Sequence, residues 1–172
     1  MKKILWALAL VAVAGCSKND DNNGKNNNQL NSQDEQFMAM AKEANVAEID
    51  AGQIAMAKGN SITVVNFGSW MVSDHTTARN SLDSMATALG KSYPDTLSAA
   101  HQSMKQMLNN ANGHSFDTTY IGGQVRDHQK VIQMFQNEIN SGQHSAVKGY
   151  ASRFLPHIQM HYNTADSIRM AL

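Results

Sequence analysis

Four residues of metal-binding type interrupt the apolar faces of the longest predicted helices. Apolar side chains recur at helical spacing along each of these segments, and the face that they form is expected to pack inward. A carboxylate and three imidazoles on such faces would be costly to bury separately, because each would lose its hydration. We therefore expect them to cluster. The residues are Glu48, His75, His128 and His161.

The heights of these residues along their helices agree with a cluster. With a rise of about 1.5 Å per residue, the first two lie roughly 16 and 24 Å from the turn at Gly59. The last two lie roughly 21 and 28 Å from the turn at Gly142. If these turns are at opposite ends of a bundle about 40 Å long, all four residues fall in its middle third.

Two interpretations of this cluster remain open. In the first, it binds a transition metal ion, since three neutral imidazoles and one carboxylate suit zinc, copper, iron or nickel. In the second, Glu48 holds the histidines in a hydrogen-bonded polar layer that fixes the register of the helices. His157 lies one turn before His161 and could join or replace it as a ligand. Asp74 and Asp127 each precede an inward histidine and could orient an imidazole of a neighbouring helix.

The sequence does not predict catalytic residues. Di-iron bundles place a Glu-x-x-His motif on each of two helices, and this motif does not occur in the sequence. Glu48 is also the only glutamate predicted to face inward, which disfavours ferroxidase or oxygenase chemistry. No Gly-x-Ser-x-Gly, P-loop or dinucleotide motif is found.

Other polar residues are interpreted as structural or exposed. Asp117 could be a ligand by its spacing, but we favour a role in capping the start of the fourth helix. His101, His114 and His144 fall on the short helix or at turns and are expected to be exposed to solvent. The eleven methionines form no close cluster and are interpreted mainly as core residues.

Helices are predicted throughout the C-terminal part of the chain, which has only two prolines and no alternating strand pattern. Ser32 to Glu35 has the form of a capping box and opens the first helix. Pro94 fits the first turn of a shorter helix, and Pro156 predicts a kink in the last one. The helices are predicted from Ser32 to about Lys58, Ile62 to Leu89, Pro94 to near Asn112, Phe116 to Asn140, and Ser145 to the C-terminus.

A weak internal repeat predicts the arrangement of these helices. Six residues near the first turn match six residues that lie 142 − 59 = 83 positions later. This predicts two similar hairpins of long helices, joined by the short helix. If the short helix runs back along the bundle, the fold is an all-α, ferritin-like up-down-down-up four-helix bundle with a short crossover helix. The matched pairs are Gly59 and Gly142, Val64 and Val147, Phe67 and Tyr150, Ser69 and Ser152, Met71 and Phe154, and Val72 and Leu155.

The N-terminal segment has the pattern of a bacterial lipoprotein. A basic start precedes an apolar run of about eleven residues, which is too short to span a bilayer. The segment Val13-Ala14-Gly15-Cys16 resembles a lipobox, so residues 1–15 are predicted to be a signal peptide and Cys16 to carry lipid such as palmitate. Residues 16–33 are predicted to be a disordered, asparagine-rich tether. Residues 34–172 then form one helical domain.

Charge and cysteine content limit the possible partners. Without residues 1–15 the chain keeps 14 − 2 = 12 basic residues against 14 acidic ones, so nucleic acid is not expected as a partner. The expected partner is a membrane, bound through the N-terminal lipid, and protein partners are left open. Because Cys16 is the only cysteine, no disulfide can form within the chain.

Five short motifs resemble a known family. They are Glu48 to Ala55 (Glu-Ile-x-x-Gly-x-x-Ala), Met71-Val72-x-Asp74-His75, Phe116-Asp117-x-x-Tyr120, Asp127-His128, and Leu155-Pro156-x-x-x-x-His161. Together they resemble domain-of-unknown-function family 4142, whose members are described as predicted outer membrane proteins and grouped with ferritin-like folds. The resemblance implies this fold and an envelope location, and it implies no settled activity. Its pattern includes Glu48 and the three inward histidines, whereas His157 stands where an apolar residue is expected.

Two functions are consistent with these observations. The first is a metal-binding lipoprotein of the cell envelope, anchored by lipid at the outer membrane, that acts in sequestration or stress protection and not in turnover. The second is a structural or interaction module of the envelope, whose buried polar layer only fixes the bundle. A redox enzyme that uses iron is a third and less favoured hypothesis.

Overall fold

The computed structural model describes residues 28–172, and this part of the chain consists of helices without any strand. The all-α prediction is therefore confirmed for the described residues. The predicted signal peptide, Cys16 and most of the predicted tether lie outside them. Within the same range, no helix is both long enough and apolar enough to cross a membrane. The helices are α1 (Ser32–Lys58), α2 (Ile62–Ala88), α3 (Ala99–Asn110), α4 (Gly113–Ser141) and α5 (Ser145–Ala171).

Asn31 caps α1, one residue before the predicted capping box. Its side chain accepts a hydrogen bond from the Asp34 backbone N–H at 2.8 Å, and the Asp34 carboxylate accepts one from the Asn31 N–H at 2.7 Å. The prediction that Ser32 and Glu35 form the box is wrong, because asparagine and aspartate one residue earlier provide the same two acceptors.

The short helix begins later than predicted. Residues 91–98 have no regular structure, α3 starts at Ala99, and the predicted helical turn at Pro94 is wrong. Ser98 caps α3, and ion pairs to α1 join the segment before it to the bundle. The ion pairs are Lys91 with Glu35 at 2.6 Å and Asp95 with Lys42 at 2.6 Å.

The second hairpin follows its predicted bounds more closely. α4 begins at Gly113, three residues before the predicted start at Phe116, and Gly113 has a φ of +59°, which favours glycine. α5 continues as one helix through Pro156. The predicted kink at that residue stays a prediction.

Asp117 does not cap its own helix, as the sequence suggested. It lies inside α4, is buried, and accepts hydrogen bonds from the backbone N–H groups of Asn60 and Ser61 at 2.9 and 2.8 Å. It therefore caps the turn between α1 and α2. The N-cap of α4 is Asn112, whose side chain makes no capping bond.

The long helices pack as two antiparallel pairs, α1 with α2 and α4 with α5, and α1 also packs on α4 while α2 packs on α5. The first pair approaches closely where Gly52 meets Gly68: a Cβ on Gly52 would lie 2.8 Å from the Gly68 carbonyl oxygen. α3 lies on α1 and α4. It runs beside α1, as the bond from Lys105 to Asp50 and those from Lys58 to the end of α3 show.

Two apolar clusters fill the interior, and a polar layer separates them along every long helix. One cluster includes Phe37, Leu82 and Phe154, and the other includes Phe67 and Tyr120. Burial of both clusters holds the four helices at fixed positions around the layer between them. The polar layer consists of Asn45, Glu48, His75, Gln124, His128 and His161.

Candidate metal centre

Three histidines from three helices meet in the polar layer. His75 comes from α2, His128 from α4 and His161 from α5, and their exposed fractions are 6%, 1% and 1%. Their ring centroids are 5.3 to 5.7 Å apart. One nitrogen of each ring lies within 4.8 Å of a nitrogen of the other two. The structure thus brings together the three histidines that the sequence placed on inward faces.

Asn45 fixes the ring of His75. The Asn45 side-chain nitrogen donates to the Ala41 carbonyl at 2.8 Å and to the Tyr150 hydroxyl at 3.1 Å, which leaves its oxygen as an acceptor. That oxygen lies 2.9 Å from His75 Nδ1, so Nδ1 carries the proton and donates. The lone pair of His75 is consequently on Nε2.

The backbone of α4 fixes the ring of His128. Its Nδ1 lies 3.0 Å from the carbonyl oxygen of Gln124, one turn earlier, and a carbonyl can only accept. Nδ1 therefore carries the proton, and the lone pair of His128 is also on Nε2.

A carboxylate fixes the ring of His161. Asp74 on α2 lies 3.0 Å from His161 Nε2, which therefore donates and leaves the lone pair on Nδ1. Asp74 is itself held by the Trp70 indole N–H at 2.9 Å, and Trp70 packs edge-on against the His161 ring at 4.6 Å. Carboxylates that bind the outer nitrogen of an imidazole are common behind metal-ligating histidines.

The second nitrogen of each ring, which makes none of these hydrogen bonds, is the central feature of the layer. His75 Nε2, His128 Nε2 and His161 Nδ1 are buried, and each lacks a hydrogen-bond partner among residues 28–172. A buried polar atom without a partner costs about 1–3 kcal/mol, and native proteins contain few of them. Three such lone pairs in one layer are chemically suited to bind a cation.

Burial keeps these imidazoles neutral. It is the main cause that lowers the pKa of His75 well below its ordinary range, with the nearby rings of His128 and His161 adding to the effect. Burial likewise lowers the pKa of His128 to about 4 and that of His161 to about 4, although Asp74 opposes the change in His161. All three rings are therefore neutral at pH 7, with one protonated nitrogen and one free lone pair each, and the neutral form binds metal ions.

Glu48 lies beside the three histidines without belonging to their nitrogen group. Its carboxylate accepts a hydrogen bond from the Gln124 side-chain amide at 2.7 Å and lies 3.6 Å from His128 Nδ1, the nitrogen turned away from the free lone pair. Burial raises the pKa of Glu48 to about 7. Two roles were predicted for Glu48, a direct ligand or a residue that holds the histidines, and its position behind His128 fits the second.

A cavity of about 80 Å³ borders all three imidazoles. Most of its other walls are apolar and come from α1, α2, α4 and α5. The half-exposed His157 and the exposed Thr77 also line it, so it extends from the histidines towards the surface between α2 and α5. The apolar wall residues are Ala41, Ala44, Ala78, Val131, Phe135, Phe154 and Ile158.

The secondary candidates take different positions. Asp74 contacts the triad through His161, and His157 Nδ1 lies 3.8 Å from Asp74 at the rim of the cavity. Asp127 instead pairs with Lys130 at 2.9 Å, and it lies 4.0 Å from His101 on α3.

The remaining histidines only partly follow the prediction that they are exposed. His114 is exposed, but His101 is partly buried and bonds Glu43 at 2.6 Å. His144 is buried at the N-cap of α5, where its ring accepts from the Ala146 N–H, so the prediction for His144 is wrong. Its place at a helix start after Gly142 was the signal that could have identified it as a cap.

Sequence reasoning missed three residues that position the histidines: Asn45, Gln124 and Trp70. Asn45 and Gln124 each lie at an i, i+4 or i, i+3 position from a buried residue, so helical spacing could have placed them inside. Trp70 lies one turn before Asp74, within reach of its carboxylate. No sequence pattern specified that an amide oxygen and a backbone carbonyl would fix two of the rings.

Two comparisons relate this chain to other proteins, and no curated protein matches it. A crystal structure of a DUF305 fragment from Deinococcus radiodurans superposes with a TM-score of 0.75 at 12% identity, covering 83% of this chain and 99% of that one. At that identity the likeness shows a shared fold alone. The sequence profile of the family described as "Domain of unknown function (DUF4142)" matches residues 20–168. Since this match covers most of the chain, the protein belongs to the DUF4142 family.

Proposed function

We propose that the protein binds a transition metal ion through His75, His128 and His161. One observation carries the proposal: each ring has one nitrogen fixed by a hydrogen-bond acceptor, while its other nitrogen is buried without a partner among the described residues. An isolated buried histidine is usually satisfied on both sides. The repetition of the same arrangement on three helices favours a ligand at their centre.

The chemistry of the donors limits the class of ion. Three neutral imidazoles without a thiolate suit zinc, copper, nickel or iron, and they suit calcium or magnesium poorly. Tetrahedral binding at about 2.0–2.1 Å brings the nitrogens to about 3.3 Å from each other. In the structure the nitrogens lie within 4.8 Å of one another, so binding requires the rings to move closer together.

We infer a role in metal sequestration or stress protection at the cell envelope. The lipobox-like segment that ends at Cys16 supports export and lipid anchoring, and the family resemblance supports the outer membrane. The antiparallel pairing of α1 with α2 and α4, and the course of α3 beside α1, support a ferritin-like up-down-down-up four-helix bundle.

The substitution Cys16→Ala tests the lipid anchor. It should abolish palmitate labelling and membrane association in cells, and labelling that persists would contradict the anchor.

Metal titration of the purified full chain tests the centre directly. We expect about one equivalent of Zn²⁺ or Cu²⁺ by elemental analysis after desalting. The double variant His75→Ala/His128→Ala should weaken binding by at least about 100-fold, since even the loss of a residue behind a ligand costs about 10–100-fold. The matched control is His114→Ala, which removes an exposed imidazole. Substoichiometric metal that is unchanged in the double variant would contradict the proposal.

The same layer also has features of a purely structural role. Asn45 to His75, Gln124 to Glu48 and Asp74 to His161 are hydrogen bonds that each join two helices. A structural or interaction module would use them to fix helix register. In that case the double variant would destabilise the metal-free protein, and added metal would not raise the melting temperature of either protein.

A further inference from the structure

We propose that the metal centre has an open coordination position and takes a small exogenous ligand of two or three heavy atoms, such as azide, cyanide or nitric oxide, in the adjoining cavity. This inference rests on the proposed metal site and adds the class of molecule that reaches it. It follows from the number of donors, the volume of the cavity, the chemistry of its walls and its course to the surface.

Among the described residues, three ring nitrogens can bind the ion, and the nearby side chains that could supply a fourth ligand are engaged elsewhere. Asp74 is engaged by His161 and the Trp70 indole N–H. Glu48 is engaged by the Gln124 amide and lies 3.6 Å from His128 Nδ1, which is not the nitrogen with the free lone pair. Asn45 is engaged by His75. Zinc and copper bind at least four ligands in most protein sites, and a site with three protein ligands keeps a position for water or another molecule.

The cavity determines the size of that molecule. All three imidazoles line it, so an ion bound between them would border this space directly. Its volume of about 80 Å³ compares with roughly 30 Å³ per molecule of liquid water. Ligand pockets for larger organic molecules measure about 300–1,000 Å³. The space therefore fits two or three heavy atoms.

The walls of the cavity select against strongly hydrated ligands. Ala78, Phe135, Phe154 and Ile158 supply much of the wall, and their carbon atoms cannot replace the water shell of sulfate or phosphate. The carboxyl groups of Glu48 and Asp74 also border the space, and they disfavour multiply charged anions further. A small neutral molecule, or an anion with diffuse charge such as azide, loses less on entering. His157 at the rim has a side chain that is 52% exposed, which marks the end through which such a molecule arrives.

Azide binding to the Cu²⁺-loaded full chain tests this inference. Azide bound to Cu²⁺ gives a charge-transfer absorption band in the near ultraviolet, and we expect this band to saturate with rising azide. Sulfate at the same ionic strength should neither produce the band nor compete with azide. The Cu²⁺ content is measured first by elemental analysis. Failure of Cu²⁺ to bind would overturn the metal centre and this inference with it, whereas bound Cu²⁺ without an azide band would overturn this inference alone.

Filling the cavity provides the decisive variant. Ala78→Leu adds three carbons to the wall one turn after His75, and we expect it to weaken azide at least tenfold while Cu²⁺ content stays the same. Ala44→Leu, at a half-buried wall position, gives a second filling variant if the first does not fold. The matched control is Ala88→Leu, an exposed position on the same helix. Azide affinity equal to that of the control in the filling variants would place azide outside the cavity and overturn the inference.

Discussion

The two hairpins, α1–α2 and α4–α5, make the same capping contact at equivalent positions. Asp34 at the start of α1 accepts from the backbone N–H groups of Gln143 and His144, in the turn of the other hairpin. Asp117 near the start of α4 accepts from Asn60 and Ser61 in the same way. The two aspartates are 117 − 34 = 83 residues apart, the spacing of the internal repeat. Each hairpin thus caps the turn of its partner.

The aromatic packing repeats as well. Phe37 meets Tyr150 at a centroid distance of 6.1 Å and an angle of 66°. Its equivalent, Tyr120, meets Phe67 at 6.3 Å and 66°. Both contacts join one hairpin to the other. The repeated aspartates and aromatic residues thus hold the two hairpins together, and we call this set of contacts the frame of the fold.

The three histidines break this repeat. At a shift of 83 residues, the residues that correspond to them are apolar or amide side chains, which offer no imidazole nitrogen to a metal ion. The contacts that repeat between the hairpins therefore do not account for the three imidazoles. The corresponding pairs are His75 and Ile158, His128 and Asn45, and His161 and Ala78.

The largest effect is expected when the repeated aspartates are removed. Asp117→Ala and Asp34→Ala each leave two backbone N–H groups in a turn without their acceptor. Hydrogen bonds to a charged group contribute about 1.5–3 kcal/mol, so each variant should lose roughly 3 kcal/mol of unfolding free energy, measured by urea denaturation. Asp166→Ala, which removes a partly exposed carboxylate paired with Arg169, is the control and should lose under about 0.5 kcal/mol. A loss below about 1 kcal/mol in either variant would show that the two caps are not equivalent.

A smaller effect is expected at the close contact between α1 and α2, where the two hairpins have different residues. Gly52 in α1 faces Gly68 in α2, whereas the residue equivalent to Gly52 is Phe135. In Gly52→Ala the new Cβ would lie 2.8 Å from the Gly68 carbonyl oxygen, so α1 and α2 must separate. Overpacking of this kind costs about 1–3 kcal/mol, and we expect about 2 kcal/mol in urea denaturation.

The control for this change is a glycine with free space around it. A Cβ on Gly149, in the second turn of α5, would meet nothing within 4 Å. Gly149→Ala should therefore raise the unfolding free energy by about 0.5–1 kcal/mol, since alanine favours the helix. Equal effects of the two substitutions would contradict the close approach of α1 and α2.

Helical periodicity was sufficient to predict the frame and the inward histidines. A spacing of 3.6 residues fixes which side of a long helix is apolar, and each histidine lies on such a side. The same rule left the neighbours ambiguous, because Ala44 and Asn45 both fit a stripe that contains Glu48. The structure buries Asn45 and leaves Ala44 half-buried.

Contacts between distant segments explain what the sequence could not show. α3 starts at Ala99, after its cap Ser98, and ion pairs join the preceding residues to α1. No local pattern encodes those pairs. Asp117 was interpreted as a local cap because capping is usually local, yet its acceptor oxygens serve a turn 56 to 57 residues away. The fixed tautomers of the three imidazoles likewise depend on partners that only packing brings together.

One end of the frame carries a titratable group that the other lacks. Glu138 is buried against Asp34, whereas its equivalent next to Asp117 is Ala55. Burial, followed by the neighbouring Asp34, raises the pKa of Glu138 from its ordinary 4.5 to about 7. Asp34 itself stays ionised: burial opposes this, but its hydrogen bonds from Asn31, Glu138 and the turn lower its pKa.

The smallest of these effects is a pH dependence that only the Asp34 end should show. The folded protein holds the Glu138 proton more tightly than the unfolded chain does, so the contribution of Glu138 to stability is complete below about pH 4.5 and is lost as pH rises through about 7. Glu138→Gln keeps a neutral donor against Asp34 at every pH. Relative to the unsubstituted protein, it should be neutral near pH 5 and stabilising by about 1 kcal/mol at pH 8, since each pKa unit corresponds to about 1.4 kcal/mol and relaxation recovers part of it.

The measurement is the difference in unfolding free energy between the two proteins, obtained by urea denaturation at each pH. Groups present in both proteins, including Glu48 and the three histidines, cancel in this difference. Glu35→Gln, at an exposed position of α1, controls for the change in net charge. A difference for Glu138→Gln that is the same at pH 5 and pH 8 would mean that the two ends of the molecule do not differ in protonation.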